Sequence, residues 1–202
     1  MKTHSELSLM LKEMAPDLQY VFTKKDLAHL FGNEDNATFN ARVRHLIDRG
    51  YLFRAMRGYF YTADASLDDL ALRIYPEGYL SLGTALSYHQ MIGTVPAWVS
   101  SIVTTRAKGK LIKTGIGTVS MSCHNVEHHV GIVSLDGRRY ADKEKAFIDT
   151  CYFYTHGNKL PFNLTTDIDQ SSLRFDVIEN YLQTYKNPKF ITFVRGLLDR
   201  NG

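Results

Sequence analysis

Three features of the 202-residue sequence predict an α+β fold. The first third holds three segments with apolar residues at helical spacing and then an aromatic-rich hairpin pattern. The middle holds short runs rich in Val, Ile, Thr and Tyr, separated by Gly or polar turns, and helical periodicity returns at the C-terminal end. The composition suits such a fold: 44% hydrophobic and 22% charged residues, with only 5 Pro and 14 Gly, exclude wholesale disorder.

The elements follow in order. Ser5 is placed to cap a first helix, in which Leu7, Leu11 and Met14 recur at helical spacing before Pro16 stops it. In TKKDLAHLFG, Thr23 reads as an N-cap with Asp26 three residues on. Leu27, Leu30 and Phe31 form one apolar stripe, and Gly32 supplies the C-terminal cap. After the polar string NEDN, a third helix over residues 37–49 is expected to bury Phe39, Val43, Leu46 and Ile47 and to end at Gly50. Its opposite face carries Ala37, Thr38, Ala41, Arg44, His45 and Asp48, with Arg42 and Arg49 on its flanks. YLFRAMRGYFYT then reads as two short strands around a turn in which Gly58 supplies a positive φ, with Arg54 and Arg57 at a basic tip.

A helix, a helix-turn-helix and a two-stranded wing make up the winged helix-turn-helix arrangement. There the second helix of the turn motif enters the major groove of double-stranded DNA and the wing contacts backbone or minor groove. Charge falls where that reading needs it. The chain has a net charge of only +3, but residues 38–61 carry five arginines against Asp48 alone, and residues 1–37 are locally acidic. Arginine is the better residue for bidentate contacts to phosphate and guanine. The expected DNA-binding residues are Thr38, Ala41, Arg42, Arg44, His45, Arg49, Arg54 and Arg57. Against this stands the plainer reading, since three-helix units with a hairpin also serve as protein-interaction modules and charged helix faces are often merely solvated.

After Asp64, LDDLALRIY and SLGTALSYHQMIG read as two helices, the second capped by Ser81 and ended by Gly93. WVSSIVTT, KLIKT, GTVSMSC, EHHVGIVSL and RRYA read as strands of a small, mainly antiparallel sheet. The C-terminal helices are KEKAFIDTCYFY capped by Asp142, LRFDVIENYLQTY capped by Ser171 or Ser172, and KFITFVRGLLDR opened by Asn187-Pro188. The division expected is a winged helix-turn-helix domain over residues 1–63 and an α+β domain over residues 64–202, packed together around residues 62–68.

Chemical motifs are sparse. In CHNVEHH, Cys123, His124, His128 and His129 look metal-like, but zinc sites usually draw pairs from two elements and no matching pair occurs elsewhere. TGIG at 114–117 lacks what a phosphate loop needs and reads as a tight turn between strands. Asp68 with Asp69, and Asp167 with Asp169, read as capping and solvated loop acids. In KEKAFIDTCYFY, Glu144, Lys145 and Asp149 leave Ala146, Phe147, Cys151 and Tyr152 to pack, and Lys145 can pair with Asp149 for about 0.2 to 0.5 kcal/mol. No hydrolase, zinc-protease or dinucleotide fingerprint is present, so no catalytic residue, metal or cofactor is expected. Cys123 and Cys151 are expected as reduced thiols. No apolar run reaches the length of a membrane span and the N-terminus is too charged for a signal peptide, which predicts a cytoplasmic protein.

Taken in order, these segments resemble the AbiEi family, the antitoxins of type IV toxin-antitoxin systems. The resemblance lies in TKKDLAHLFG followed by RHLIDRGYLFRAMRGYFYT, then YLSLGTALSYHQMI, TGIG and ADKEKAFIDTCY, the last carrying Lys143 before Glu144 where the family's usual form has Pro. It implies a dual role. The N-terminal domain would repress its own operon at promoter repeats, and the C-terminal domain would neutralise a nucleotidyltransferase-like toxin without direct contact being required. The alternatives are a winged-helix transcriptional regulator whose second domain senses a ligand or dimerises, and an enzyme with a DNA-targeting domain.

Overall fold

The computed structural model describes residues 4–32, 34–93, 98–105, 109–124 and 130–198. Helix α1 (His4–Met14) buries Leu7 and Leu11, and it begins ahead of Ser5, whose carbonyl accepts the Ser8 hydroxyl; Ser5 is therefore inside the helix and not its cap. A single 3-10 turn at Pro16–Leu18 and two left-handed residues, Gln19 and Tyr20, swing the chain into strand β1 (Val21–Thr23). Helix α2 (Lys24–Phe31) has the expected capping box, with the Thr23 hydroxyl accepting from the Asp26 amide and the Asp26 carboxylate accepting from the Thr23 amide, and Gly32 caps its end at φ +90°. Helix α3 (Asn36–Asp48) starts from Asp35, and strands β2 (Phe53–Met56) and β3 (Tyr59–Tyr61) form the hairpin with Gly58 at φ +83°.

These strands form one antiparallel sheet in the order β1-β3-β2. Strand β1, three residues long, is the part the sequence pattern did not announce. Directly opposed pairs share a face, so Phe22 and Phe60 turn together into a core with Leu7, Leu11, Leu27, Leu30, Phe39, Val43, Leu46 and Leu52. Val21 and Tyr61 turn the other way, into the core of the rest of the chain.

That second core is built on helices α4 (Leu67–Ile74), α5 (Leu82–Tyr88), α6 (Lys143–Thr155), α7 (Phe175–Leu182) and α8 (Pro188–Leu198). Its sheet is made of β4 (Tyr79–Leu80), β5 (Val99–Thr104), β6 (Lys110–Thr114), β7 (Gly117–Cys123), β8 (Ile132–Leu135) and β9 (Arg138–Ala141), in the order β6-β7-β5-β4-β9-β8. All five expected strands are present, but the sheet is six-stranded and mixed instead of mainly antiparallel. Strands β5 and β7 run parallel, as do β4 and β9. The cause is topological: β6 hairpins with β7 on the outer side, so β7 comes back beside β5 in the same direction. Helix α6 packs against α5, α7, α8 and β9, which leaves residues 144–151 buried on every side.

The expected caps divide into met and unmet. Asp142 and Asn187 accept from the first turns of α6 and α8, and Ser66, not singled out in the sequence, does so for α4. Ser81 precedes α5 but gives its hydroxyl to Asp149, and α7 begins at Phe175, past Ser171 and Ser172, without a side-chain cap.

The two cores are joined across the N-terminal sheet. Besides Val21 and Tyr61, Asp26 on α2 meets Arg73 on α4 at 2.8 Å, and the Tyr61 hydroxyl accepts the Gly115 amide. A methyl group added at Gly115 would lie 2.5 Å from that hydroxyl, so a larger residue in the TGIG turn would have to displace the Tyr61 side chain. Among the described residues, no helix is long and apolar enough to cross a membrane.

Candidate nucleic-acid interface

Helix α3 is oriented by its cap and its buried stripe. Asp35 accepts the amides of Ala37 and Thr38 at 2.8 and 3.1 Å and the Thr38 hydroxyl at 2.6 Å, and these bonds hold its carboxyl below the usual aspartate range. Thr38 is therefore half-buried, with its hydroxyl spent on the cap. Phe39, Val43 and Leu46 pack inward as expected, while Ile47 is only half-buried.

Arg42 corrects the sequence reading. It is 4% exposed, lies 2.6 Å from Glu34 and sits over the Phe31 ring at 6.0 Å, so it closes the back of the helix and does not face a ligand. Ala37, Ala41, Arg44, Asp48 and Arg49 are exposed, and His45 is half-buried. Arg54 also moves. It stands within β2, not at the hairpin tip, with its guanidinium 5.5 Å over the ring of buried Phe60. The tip belongs to Arg57, exposed beside Gly58.

Arg44 and Arg54, ten positions apart on different elements, line one recess of about 310 Å³ together with Asn40, Val43 and Ile47. The face offered by α3 is thus rotated toward the hairpin, away from the Thr38 and Arg42 side. Two residues were missed. Asn40 carries no charge to draw attention, and its signal is its position one turn before Arg44. Lys24 lay in a locally acidic stretch whose balance concealed it; its Nζ reaches Asn36 at 3.4 Å and lies 5.4 Å over the Phe39 ring, and its amide donates to the Gly58 carbonyl at the hairpin turn.

The second core holds charge of another kind. Lys145 and Asp149 pair at 2.6 Å with exposures of 1% and 0%, where the sequence left both outside the packing. The free oxygen of Asp149 accepts the hydroxyls of Tyr79 and Ser81 at 3.0 and 2.8 Å, and Lys145 donates to the Tyr185 hydroxyl at 3.3 Å. Burial, then the Asp149 charge, pushes the phenols of Tyr79 and Tyr185 far upward, and burial does the same to the Cys151 thiol. These groups stay protonated at neutral pH. The cluster clamps α6 to β4, to the start of α5 and to Tyr185 beyond α7.

Other expected sites resolve as structure. Asp69 is buried and takes a two-pronged bond from Arg138 at 2.7 and 2.8 Å, while Asp68 accepts from Ser100 and Tyr140; neither is a solvated acid. Asp167 and Asp169 are exposed and accept loop amides from Asn163 and Ser171. TGIG is the turn between β6 and β7. Cys123 is half-buried, and His124 is buried with its ring 3.9 Å from that of Tyr152; His128 and His129 lie outside the described residues. Among the described residues, no group of three or more His, Cys, Asp or Glu is placed to hold a metal ion.

Comparison with known proteins bears on the fold alone. No family model matches the chain, and no curated protein matches it. Its fold is similar to the crystal structure of the RV2827C protein from Mycobacterium tuberculosis, with a TM-score of 0.65 and 17% identity over 95% of this chain and 75% of that one.

Proposed function

We propose that the chain binds double-stranded DNA with sequence preference, through a winged-helix unit in residues 1–63 whose α3 enters the major groove and whose β2–β3 hairpin follows the backbone. The observation that carries this reading is the recess in which Arg44 from α3 and Arg54 from the hairpin converge, in a segment, residues 38–61, that carries five arginines against Asp48 alone. Small exposed residues, Ala37 and Ala41, let that helix approach a groove closely. Arg49 and Arg57 add exposed charge to the same segment.

The order of motifs, similar to AbiEi antitoxins, supports a wider role: autorepression at promoter repeats, with residues 64–202 neutralising a nucleotidyltransferase-like toxin in a type IV toxin-antitoxin system. The test is duplex titration at fixed salt together with growth of cells making the toxin from the adjacent reading frame. Arg44→Ala is expected to cost about 1 to 3 kcal/mol on the preferred duplex and less on random DNA. Arg54→Ala with Arg57→Ala is expected to weaken binding to all duplexes, each lost phosphate contact removing about 0.9 from the slope of log K against log salt, while growth rescue persists. Absence of saturable duplex binding by the wild-type chain overturns the reading.

A further inference from the structure

We infer that Asn40 and Arg44 form a purine-reading pair, the carboxamide of Asn40 taking adenine and the guanidinium of Arg44 taking guanine. This rests on the reading of α3 as the groove helix and names what that helix recognises. The inference comes by elimination along the face. Ala37 and Ala41 carry no polar group, the Thr38 hydroxyl is held by Asp35, Asn36 accepts from Lys24, His45 is half-buried and already engaged, and Asp48 would repel phosphate. Arg49 lies past the end of α3, about 140° round the helix from Arg44 at 100° per residue. Asn40 and Arg44 remain, both exposed, both lining the recess shared with Arg54, and neither side chain hydrogen-bonded or ion-paired among the described residues.

The chemistry of each is selective. Asn pairs in two-pronged fashion with adenine N6 and N7, and Arg with guanine O6 and N7. Four residues of α-helix rise about 6 Å, close to two steps of about 3.4 Å along a strand, so the two side chains address purines about two base pairs apart. Arg54, fixed over Phe60 at the side of the recess, supplies the neighbouring phosphate contact that sets their register.

The experiment selects the preferred duplex from a randomised pool with the wild-type chain, then titrates that duplex and its single-base variants with wild type and Asn40→Ala. The selected duplex is expected to hold an adenine and a guanine at that spacing. Asn40→Ala is expected to bind it about 5- to 150-fold more weakly and to lose discrimination at the adenine alone. Replacing that adenine by 7-deazaadenine should weaken wild type and leave Asn40→Ala unchanged. Discrimination at every position retained by Asn40→Ala overturns the inference while leaving DNA binding intact. If wild type selects no duplex, both the inference and the reading beneath it fall.

Discussion

Helices α3 and α6 are each 13 residues long and each starts from an aspartate cap, Asp35 and Asp142, yet they treat charge in opposite ways. Helix α3 keeps Arg44, Asp48 and Asn40 on an exposed face and sinks a single cation, Arg42, against Glu34. Helix α6 is enclosed by three helices and a strand and sinks Glu144, Lys145 and Asp149 together. The caps differ likewise. Asp35 is open to water and its hydrogen bonds lower its carboxyl, whereas burial lifts the Asp142 carboxyl above the usual aspartate range in spite of the bonds from the Lys145 amide and the Tyr181 hydroxyl. Charge on a helix is therefore open to a partner only where the helix has a solvent side; on an enclosed helix the same residue types are internal fasteners.

The largest expected effect breaks the fastener. Asp149→Ala strands the Lys145 ammonium in the core and is expected to cost about 3 to 5 kcal/mol of stability, measured by denaturant unfolding. Replacing both partners, Lys145→Met with Asp149→Leu, should restore part of that loss, since no buried charge is then left unpaired although the buried Tyr79 and Ser81 hydroxyls lose their acceptor. Arg44→Ala, on the exposed face, should change stability by no more than about 0.5 kcal/mol. A cost below about 1 kcal/mol for Asp149→Ala would mean that water reaches the pair and that the contrast between the helices is wrong.

Cap removal sharpens the comparison on a smaller scale. Asp142→Ala should cost about 0.5 to 2 kcal/mol, and Asp35→Ala should lower the unfolding midpoint by less, because Asp142 also anchors Tyr181. Equal midpoints for the two variants would remove the distinction.

The smallest effect is in pH dependence. A carboxyl lowered on folding contributes stability that is full above its unfolded value and is lost as pH falls through the folded one. This holds for Asp35, and for Asp69, where burial raises the carboxyl but the Arg138 and Ser66 hydrogen bonds and the Arg138 charge more than offset it. A carboxyl raised on folding, as at Asp142, contributes stability present below its unfolded value and lost as pH rises through the folded one. Unfolding free energies measured from neutrality to below pH 3.8 should thus show a shallower acid loss in Asp69→Asn and a steeper one in Asp142→Asn, relative to wild type. The same slope in both variants would refute the opposite signs.

Local chemistry was the most legible part of the sequence. The Thr23 and Asp26 capping box, the Asp142 cap, the Asn187-Pro188 start and strands β5 to β9 could all be read from residue type and spacing. Strands β1 and β4, of three and two residues, are too short to show alternation, and strand direction leaves no local mark, which is why the parallel pairings went unseen. Arg42 lies only about 40° round the helix from Leu46 at 100° per residue, so it already bordered the buried stripe. The burial of Lys145 and Asp149 did have a signal. Ala146, Phe147, Ile148, Cys151 and Phe153 surround the helix and leave no polar side for either charge to occupy. Asn40 carries no charge, and the recess that it shares with Arg44 is closed by Arg54 from another element, which spacing along α3 alone does not show.

Strand β3 makes the two cores poor candidates for transplantation. A graft that carried residues 1–63 onto another protein would bring along Val21 and Tyr61 with their inward faces bare, and would uncover the side of α4 that meets β1 on the piece left behind. The exposed link at Ala63 and Asp64 looks like a seam, but a cut there severs one peptide bond and none of the Val21, Tyr61, Asp26 or Gly115 contacts. The two lengths of chain would stay together as a nicked whole, and exchange of parts between relatives would have to take the strand's partners on both of its faces at once.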